Sequence, residues 1–254
     1  MVKHKIAFFD IDGTLVDPKR WEKTQNILES IPESTRIAIK RLKSKDIRPV
    51  IATGRPKKSI LELADFLEIK DLITSNGQEV VMQNKRVFQH FICQDVIHYL
   101  HQFTKYSNAE ILYDTKEGIL TTKKNLEADR ILTENEQPRN VMQVLINTDQ
   151  PIEKVFPNHS EVKVVKSGAY YYDVLPKNAS KGTGIDRFLK KVNIVPEQTI
   201  AFGDEENDLE MFEFVGTSVA MGNATKRLKE KADQVTKEVW NDGIFYACEK
   251  LRLF

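Results

Sequence analysis

Two aspartates lie two positions apart at the end of a short apolar run. The run extends from Ile6 to Phe9, and Asp10 and Asp12 follow it. In extended backbone, side chains two residues apart point the same way, and Gly13 allows the chain to turn sharply after them. Carboxylate oxygens suit a hard cation such as Mg2+. Taken alone, the pair fits a polar turn after a core strand equally well, so both interpretations stay open.

Three further loops carry polar groups at the ends of predicted strands or at helix starts. They are Thr53-Gly54-Arg55 after an apolar run, Lys181 at the start of an amphipathic segment, and Asp204 to Asp208 after another apolar run. Together with the first loop they supply acids, a hydroxyl and a cation. Phosphoryl transfer requires this set, because its catalysis consists mainly of positioning and neutralising a charged group.

Each of these residues also has a purely structural interpretation when it is taken alone. Thr53 fits a helix N-cap, and Lys181 fits a solvated lysine of a first helical turn. Asn207 fits a capping residue, and Asp208 fits a first-turn acid that the helix dipole favours. Arg55 fits an ion pair with a nearby carboxylate. Their joint occurrence is what favours the functional interpretation.

The elements that must position these loops alternate between strand and helix. Apolar runs at 48–52 and 72–74 predict buried strands, and a helical stripe predicts a helix over 33–45 before the first of them. A second helix is expected after Pro56, and only a polar connector from Asp17 to Trp21. This order predicts an α/β fold with a right-handed, doubly wound parallel sheet, whose ligands gather at the carboxyl ends of the strands.

The middle of the chain follows a different pattern. Short apolar runs separated by a turn predict a hairpin over 79–91, and mixed strands and helices follow it. The helices include a polar one near 125–132 and a short one after Pro151. Such a mixture indicates a separate α+β unit within the doubly wound core. The core pattern returns with a helix from Lys181 and a strand over 199–202.

Composition disfavours some classes of partner. The chain of 254 residues has 38 Lys and Arg against 37 Asp and Glu, a formal net charge of +1. We therefore expect no binding to nucleic acid or to an anionic membrane. The apolar run before Asp10 is too short for a signal peptide or a membrane span, so we expect a cytoplasmic protein. Cys93 and Cys248 are far apart and form no metal-type pair.

The complete set of motifs resembles the haloacid dehalogenase-like (HAD) superfamily. Its signatures are matched in order by Asp-Ile-Asp-Gly-Thr-Leu-Val from Asp10, Ile-Ala-Thr-Gly-Arg from Ile51, Ser-Lys-Gly from Ser180 and Gly-Asp-x-x-Asn-Asp from Gly203. Three further segments are similar to the Cof-type phosphatases of that superfamily: Ser-Asn-Gly at 75–77, Ala-Met-Gly-Asn-Ala at 220–224 and Ala-Asp-x-Val-Thr at 232–236. The resemblance implies a discontinuous core, residues 1–82 and 177–254, and an inserted α+β cap, residues 83–176, that roofs the active site.

The resemblance also implies a function. By this resemblance the protein would be a Mg2+-dependent phosphatase that hydrolyses small phosphorylated metabolites, such as sugar phosphates. Asp10 would be the nucleophile and would become an aspartyl phosphate. Asp12 would act as general acid and then as general base. Asp10, the backbone carbonyl of Asp12 and Asp204 would hold Mg2+, and Asp208 would orient Lys181 or a metal-bound water. The residues expected to bind phosphoryl oxygens are Ile11, Thr53, Gly54, Lys181 and Asn207.

Two other functions are compatible with the same residues. A phosphomutase-like phosphotransferase would use the same aspartate pair to move phosphate between hydroxyls of one sugar. A non-enzymatic phosphate-sensing or phospho-acceptor module is the other alternative, since a fold alone does not imply activity. Asp12 disfavours the second alternative, because a stable acceptor does not need a carboxyl group that activates water. The sequence does not indicate an oligomeric state.

Overall fold

The computed structural model describes residues 3–106, 109–125, 127–133, 136–149, 160–166 and 170–254. The chain forms two compact units. The first comprises Met1–Arg55, Ile60–Val87 and Ser180–Phe254, and the second comprises Pro56–Ser59 and Phe88–Ala179. The expected limits of the cap, residues 83 and 176, stay a prediction. Within the described ranges, no helix combines the length and the apolar character needed to cross a membrane.

The elements of the described residues follow in chain order. The strands are β1 (Ile6–Phe9), β2 (Arg48–Ala52), β3 (Leu72–Thr74), β4 (Glu79–Met82), β5 (Lys85–Gln89), β6 (Glu110–Thr115), β7 (Ile119–Thr121), β8 (Arg130–Ile131), β9 (Val141–Asn147), β10 (Val162–Lys166), β11 (Tyr171–Pro176), β12 (Thr199–Gly203), β13 (Thr217–Ala220) and β14 (Gln234–Val235). The helices are α1 (Pro18–Thr24), α2 (Glu33–Ser44), α3 (Leu61–Phe66), α4 (Gln94–Tyr106), α5 (Lys181–Val192), α6 (Leu209–Phe212), α7 (Lys226–Lys231) and α8 (Gly243–Lys250).

The first unit is built on an eight-stranded sheet in the order β14-β13-β12-β1-β2-β3-β4-β5. Neighbours from β14 to β3 pair in parallel, and β4 runs antiparallel to β3. From β1 the chain continues to one side through β2 and β3, and it later returns to the other side through β12 and β13. The strand order therefore reverses between β1 and β12, where open α/β sheets bind ligands. The predicted doubly wound α/β fold is confirmed.

Helices cover both faces of this sheet. On one face, α2 buries an apolar stripe of Ala38, Ile39 and Leu42. The core of that face also contains Phe9 and Phe202, whose rings stack with their centroids 4.9 Å apart. Phe8 points to the other face and meets Phe188 of α5 edge to face at 5.9 Å. Because β1 is covered on both faces, its residues are all apolar and buried.

The second unit contains a six-stranded sheet in the order β10-β11-β9-β6-β7-β8. All neighbours in it are antiparallel except β7 and β8. Helix α4 buries Val96, Ile97 and Leu100 in a core shared with Tyr113 and Val144 of the sheet. The predicted α+β character of this part of the chain is confirmed. The short helix predicted after Pro151 lies outside the described residues.

The polar connector expected between Asp17 and Trp21 is wrong, because this segment forms helix α1. The Asp17 side chain accepts a hydrogen bond from the Lys19 amide at 2.9 Å and so caps the helix. Pro18 occupies the first turn, where its ring suits the helical backbone and no amide donor is needed. The Asp-Pro pair was the helix-start signal that the apolar pattern did not reveal.

The polar helix predicted near 125–132 is also wrong for the residues that the structure describes there. The Asn125 side chain accepts a hydrogen bond from the Glu127 amide at 2.7 Å, and the Asp129 side chain accepts one from the Ile119 amide at 2.9 Å. Short polar side chains of this kind compete with helical hydrogen bonds. The chain instead forms the short strand β8 beside β7.

Candidate active site

The first unit brings the predicted site residues to the carboxyl ends of its central strands. Asp10 follows β1 and Asp204 follows β12, the strands between which the sheet order reverses. The Asp10 amide donates to the Phe202 carbonyl at 3.1 Å, so the hydrogen-bonded pairing of β1 with β12 continues as far as Asp10. Thr53 follows the neighbouring strand β2. Parallel pairing thus holds the three loops side by side.

Lys181 places a buried ammonium among the carboxylates. Its Nζ lies 2.5 Å from Asp10 Oδ1 and 2.7 Å from Asp208 Oδ1, with a longer contact of 3.4 Å to Asn207 Oδ1. Helix α5 begins at Lys181 because Ser180 caps it through a capping box. Burial by itself lowers the pKa of Lys181, but the charges of Asp10 and Asp208 outweigh it and raise the pKa above its ordinary value. The side chain is therefore a permanent cation.

Asp208 uses both carboxylate oxygens in hydrogen bonds. Oδ1 accepts from Lys181, and Oδ2 accepts from the amides of Asp204 and Glu205 at 2.9 and 3.1 Å. A Cβ atom at Gly203 would lie 2.5 Å from the Asp208 carboxylate, so glycine gives this side chain its space. Because its oxygens are occupied by donors, Asp208 is better suited to orienting Lys181 than to binding a metal directly.

Asp204 is held by two side-chain donors from other loops. The Thr14 hydroxyl donates to Oδ1 at 3.1 Å, and Asn223 Nδ2 lies 3.3 Å from Oδ2. Gly13 has a φ of +79°, and a Cβ atom there would lie 2.0 Å from Asp204 Oδ2. Glycine is therefore required at position 13 both for the turn and for the close approach of the carboxylate.

The site carries an excess of negative charge. One oxygen each of Asp10, Asp204 and Asp208 lies within 4.8 Å of the others, and all three residues are buried. Burial raises the pKa of Asp10, an effect that Lys181 opposes and that Asp208 and Asp12 reinforce. Burial also raises the pKa of Asp204, and the charges of Asp10 and Asp208 add to it. A divalent cation would relieve this repulsion, and carboxylate oxygens are its preferred ligands. Asp10 and Asp204 therefore fit as direct ligands of a divalent metal, and Asp208 adds to the negative charge that attracts it.

Asp12 has a partner outside this cluster. Arg55 Nε and Nη2 donate to its two carboxylate oxygens at 2.8 and 2.6 Å. The Asp12 side chain is 56% exposed, whereas Asp10 is buried. The ion pair that the sequence allowed for Arg55 is therefore confirmed. The bidentate geometry fixes the plane of the Asp12 carboxylate.

Three of the predicted phosphate-binding residues lie on the loops that follow β1 and β2. Thr53 is buried, and its hydroxyl accepts from the Arg55 amide at 3.1 Å. A Cβ atom on Gly54 would lie 3.1 Å from the side chain of Asn76. The Ile11 carbonyl accepts hydrogen bonds within its turn, whereas its amide donates to no acceptor in the described part of the chain. Such an amide suits a phosphoryl oxygen.

Two residues that donate hydrogen bonds to Asp204 were not predicted as site residues from the sequence. Thr14 lies in the Asp-Ile-Asp-Gly-Thr-Leu-Val motif, which does not indicate what its hydroxyl contacts. Asn223 lies in Ala-Met-Gly-Asn-Ala, a segment linked to the Cof-type phosphatases but not to a function. Its position just after strand β13, at the same sheet edge as Asp204, was the available signal.

Replacing Lys181 with Met should lower the free energy of unfolding by about 3 to 5 kcal/mol, because it leaves buried carboxylates without their cation. The matched control is Lys190→Met on the same helix, where the lysine is 74% exposed and pairs with Asp186. That change should cost less than about 1 kcal/mol. Urea unfolding of both variants measures the difference. Equal effects would show that the buried ion pairs do not stabilise the site.

Comparison with known proteins agrees with this geometry. A sequence model of haloacid dehalogenase-like hydrolases matches residues 7–248. The Bacillus subtilis (strain 168) protein named "Putative phosphatase YkrA" is 34% identical, and the alignment covers 98% of each chain. A crystal structure of a hypothetical protein from Geobacillus kaustophilus HTA426 is 30% identical with a TM-score of 0.85, over 99% of this chain and 100% of that one.

A second solved structure is the HAD subclass IIB sugar phosphatase BT4131. It is 27% identical with a TM-score of 0.82, over 98% of this chain and 100% of that one. The family match covers the loops of Asp10, Thr53, Lys181 and Asp204. The chain therefore belongs to the haloacid dehalogenase-like hydrolases, as a phosphatase of their Cof-type branch.

Proposed function

We propose that this phosphatase is Mg2+-dependent, that it forms an aspartyl phosphate on Asp10, and that it hydrolyses small phosphorylated metabolites such as sugar phosphates. The supporting observation is the buried cluster of Asp10, Asp204 and Asp208 with the Lys181 ammonium. It combines a carboxylate nucleophile, oxygen ligands for a divalent metal and a fixed cation at one end of the sheet. Phosphatases of this family generally use a divalent metal, in agreement with the donor set.

Asp10 is the proposed nucleophile. Lys181 Nζ donates a hydrogen bond to Asp10 Oδ1, whereas no donor contacts Asp10 Oδ2 among the residues that the structure describes. In the first step a bond forms between this oxygen and phosphorus while the bond to the leaving alkoxide breaks. Covalent catalysis of this kind divides one difficult displacement into two easier ones. Lys181 keeps Asp10 oriented during the attack.

Asp10, Asp204 and the backbone carbonyl of Asp12 are the proposed metal ligands. When bound, Mg2+ supplies charge that offsets the repulsion between the phosphate and the attacking carboxylate. Asp208 is not a proposed ligand, but it accepts hydrogen bonds from Lys181 and from the Asp204 amide. It therefore helps to position both the Lys181 ammonium and the loop that carries the metal ligand Asp204.

Asp12 is the proposed acid and base. It protonates the leaving alkoxide, and it then removes a proton from the water whose oxygen bonds to phosphorus. In this second step the bond between phosphorus and the Asp10 oxygen breaks, so inorganic phosphate leaves and the Asp10 carboxylate is restored. The Asp12 carboxylate pairs with Arg55, so it must exchange the guanidinium for the reacting oxygen during turnover. Its exposure to solvent leaves it space to turn.

The phosphoryl oxygens are assigned to neutral donors and one cation. The Thr53 hydroxyl, the amides of Ile11 and Gly54, and Asn207 supply the neutral hydrogen bonds, and Lys181 supplies the charge. Donors that stand in place before the reaction stabilise charge in the transition state without reorganisation. This assignment follows the family motifs, and the loops after β1, β2 and β12 carry all but Lys181.

The proposed substrate class is supported by the likeness to a sugar phosphatase. A panel of hexose and pentose phosphates, nucleotides and one phosphopeptide, assayed for free phosphate, would test it. We expect the highest kcat/KM among the sugar phosphates. A preference for the phosphopeptide would contradict the substrate class, and conversion to an isomeric sugar phosphate without phosphate release would favour the mutase alternative.

Asp10→Asn should abolish turnover while the fold stays intact. An amide is nearly isosteric with the carboxylate, but it is a poor nucleophile and a weaker metal ligand, so kcat should fall by about 10^4-fold or more. Asp186→Asn, on the exposed side of α5, is the control and should retain full activity. Thermal unfolding checks the fold of both variants. A folded Asp10→Asn protein with activity near that of the wild type would exclude Asp10 as the nucleophile.

Removal of divalent metal by exhaustive chelation should abolish activity, and Mg2+ should restore it. Ca2+ should fail to restore it and should inhibit in competition with Mg2+, because its larger and looser coordination shell misplaces Asp10 for in-line attack. Steady-state rates after dialysis against each ion measure this. Full activity in the chelated, metal-free protein would contradict the metal assignment.

A further inference from the structure

We infer that Asn223 is a positioning residue for Asp204 and that it sets the affinity of the site for its divalent cation. This inference rests on the proposed function, because it concerns a proposed metal ligand. Asn223 follows β13, whereas Asp204 follows the adjacent strand β12. The residue is half-buried and carries no charge.

The Asn223 side chain connects three loops of the first unit. Its Nδ2 lies 2.8 Å from the Gly13 carbonyl oxygen and 3.3 Å from Asp204 Oδ2. Its Oδ1 lies 2.9 Å from the amide nitrogen of Val239. The Asn223 side-chain amide therefore connects the loop after β1 and the loop after β12 to the segment that precedes α8.

The chemistry of these neighbours determines which way the Asn223 amide points. One end faces the Val239 N–H, which only an oxygen can accept. The other end faces a carbonyl and a carboxylate oxygen, which only the NH2 group can satisfy. The reversed orientation would place the amide oxygen against two acceptors, so the Asn223 NH2 group is the one that faces Asp204.

This contact fixes Asp204 without cancelling its charge. Thr14 donates to one oxygen and Asn223 approaches the other, so the carboxylate plane is held from two sides. Both donors are neutral, and the negative charge that attracts a cation is retained. A lysine in place of Asn223 would hold the carboxylate and also compete with the metal. Hydrogen bonds behind a metal ligand typically contribute 10- to 100-fold in metal affinity.

The test is titration of the metal-free protein with Mg2+ by isothermal calorimetry. Asn223→Ala should raise the Kd for Mg2+ by about 10- to 100-fold. At saturating Mg2+ its kcat should recover to within a few-fold of the wild-type value, because the nucleophile and Lys181 are untouched. Asn223→Leu, which fills the same space but cannot donate, should show the same shift and covers the case in which the alanine variant does not fold.

Ser218→Ala is the matched control. Ser218 lies on β13, is buried, and donates to Asp233 at 2.7 Å, away from the carboxylate cluster. Its loss should lower Tm but leave the Kd for Mg2+ unchanged. An unchanged Kd in the folded Asn223 variants, or an equal rise in Ser218→Ala, would overturn the positioning role. A wild-type protein that binds no Mg2+ would instead overturn the proposed function itself.

Discussion

The ion pair between Lys181 and Asp10 is the interaction on which the rest of the site depends. The two residues are 171 positions apart, and both are buried. An unpaired charge in such a place is unfavourable by several kcal/mol, so the two side chains require each other. Asp208 binds the same ammonium and also the backbone of the Asp204 loop. The position of one lysine is therefore coupled to the proposed nucleophile, Asp10, and to a proposed metal ligand, Asp204.

The topology of the sheet explains why these distant residues meet. Parallel strands end at the same edge, and the reversal of strand order between β1 and β12 places the loops of Asp10 and Asp204 next to each other. Close approach then requires small residues. Gly13 leaves room for the Asp204 carboxylate, and Gly203 leaves room for the Asp208 side chain. Gly13 and Gly203 therefore make room for carboxylates, and Gly13 also permits the turn after β1.

Much of this arrangement could be predicted from local sequence. The unbroken apolar run of β1 indicates a strand buried on both faces, and the motif residues mark the loops at the strand ends. The contacts that fix the side chains could not be predicted in this way. Asn223 and the Gly13 carbonyl are 210 positions apart, and no local pattern connects them. The helix predicted near 125–132 failed for a related reason, because Asp129 bonds an amide ten positions away instead of its own turn.

Asp10 is proposed to carry the phosphoryl group during turnover. The most direct measurement is rapid mixing of enzyme with excess sugar phosphate and Mg2+, an acid quench within the first turnovers, and reduction with tritiated borohydride. Borohydride converts an acyl phosphate to an alcohol, so an aspartyl phosphate at position 10 becomes tritiated homoserine. We predict tritium on the peptide that contains position 10, at a level that depends on substrate. Turnover without label at that position, or with label at another aspartate, would contradict this account.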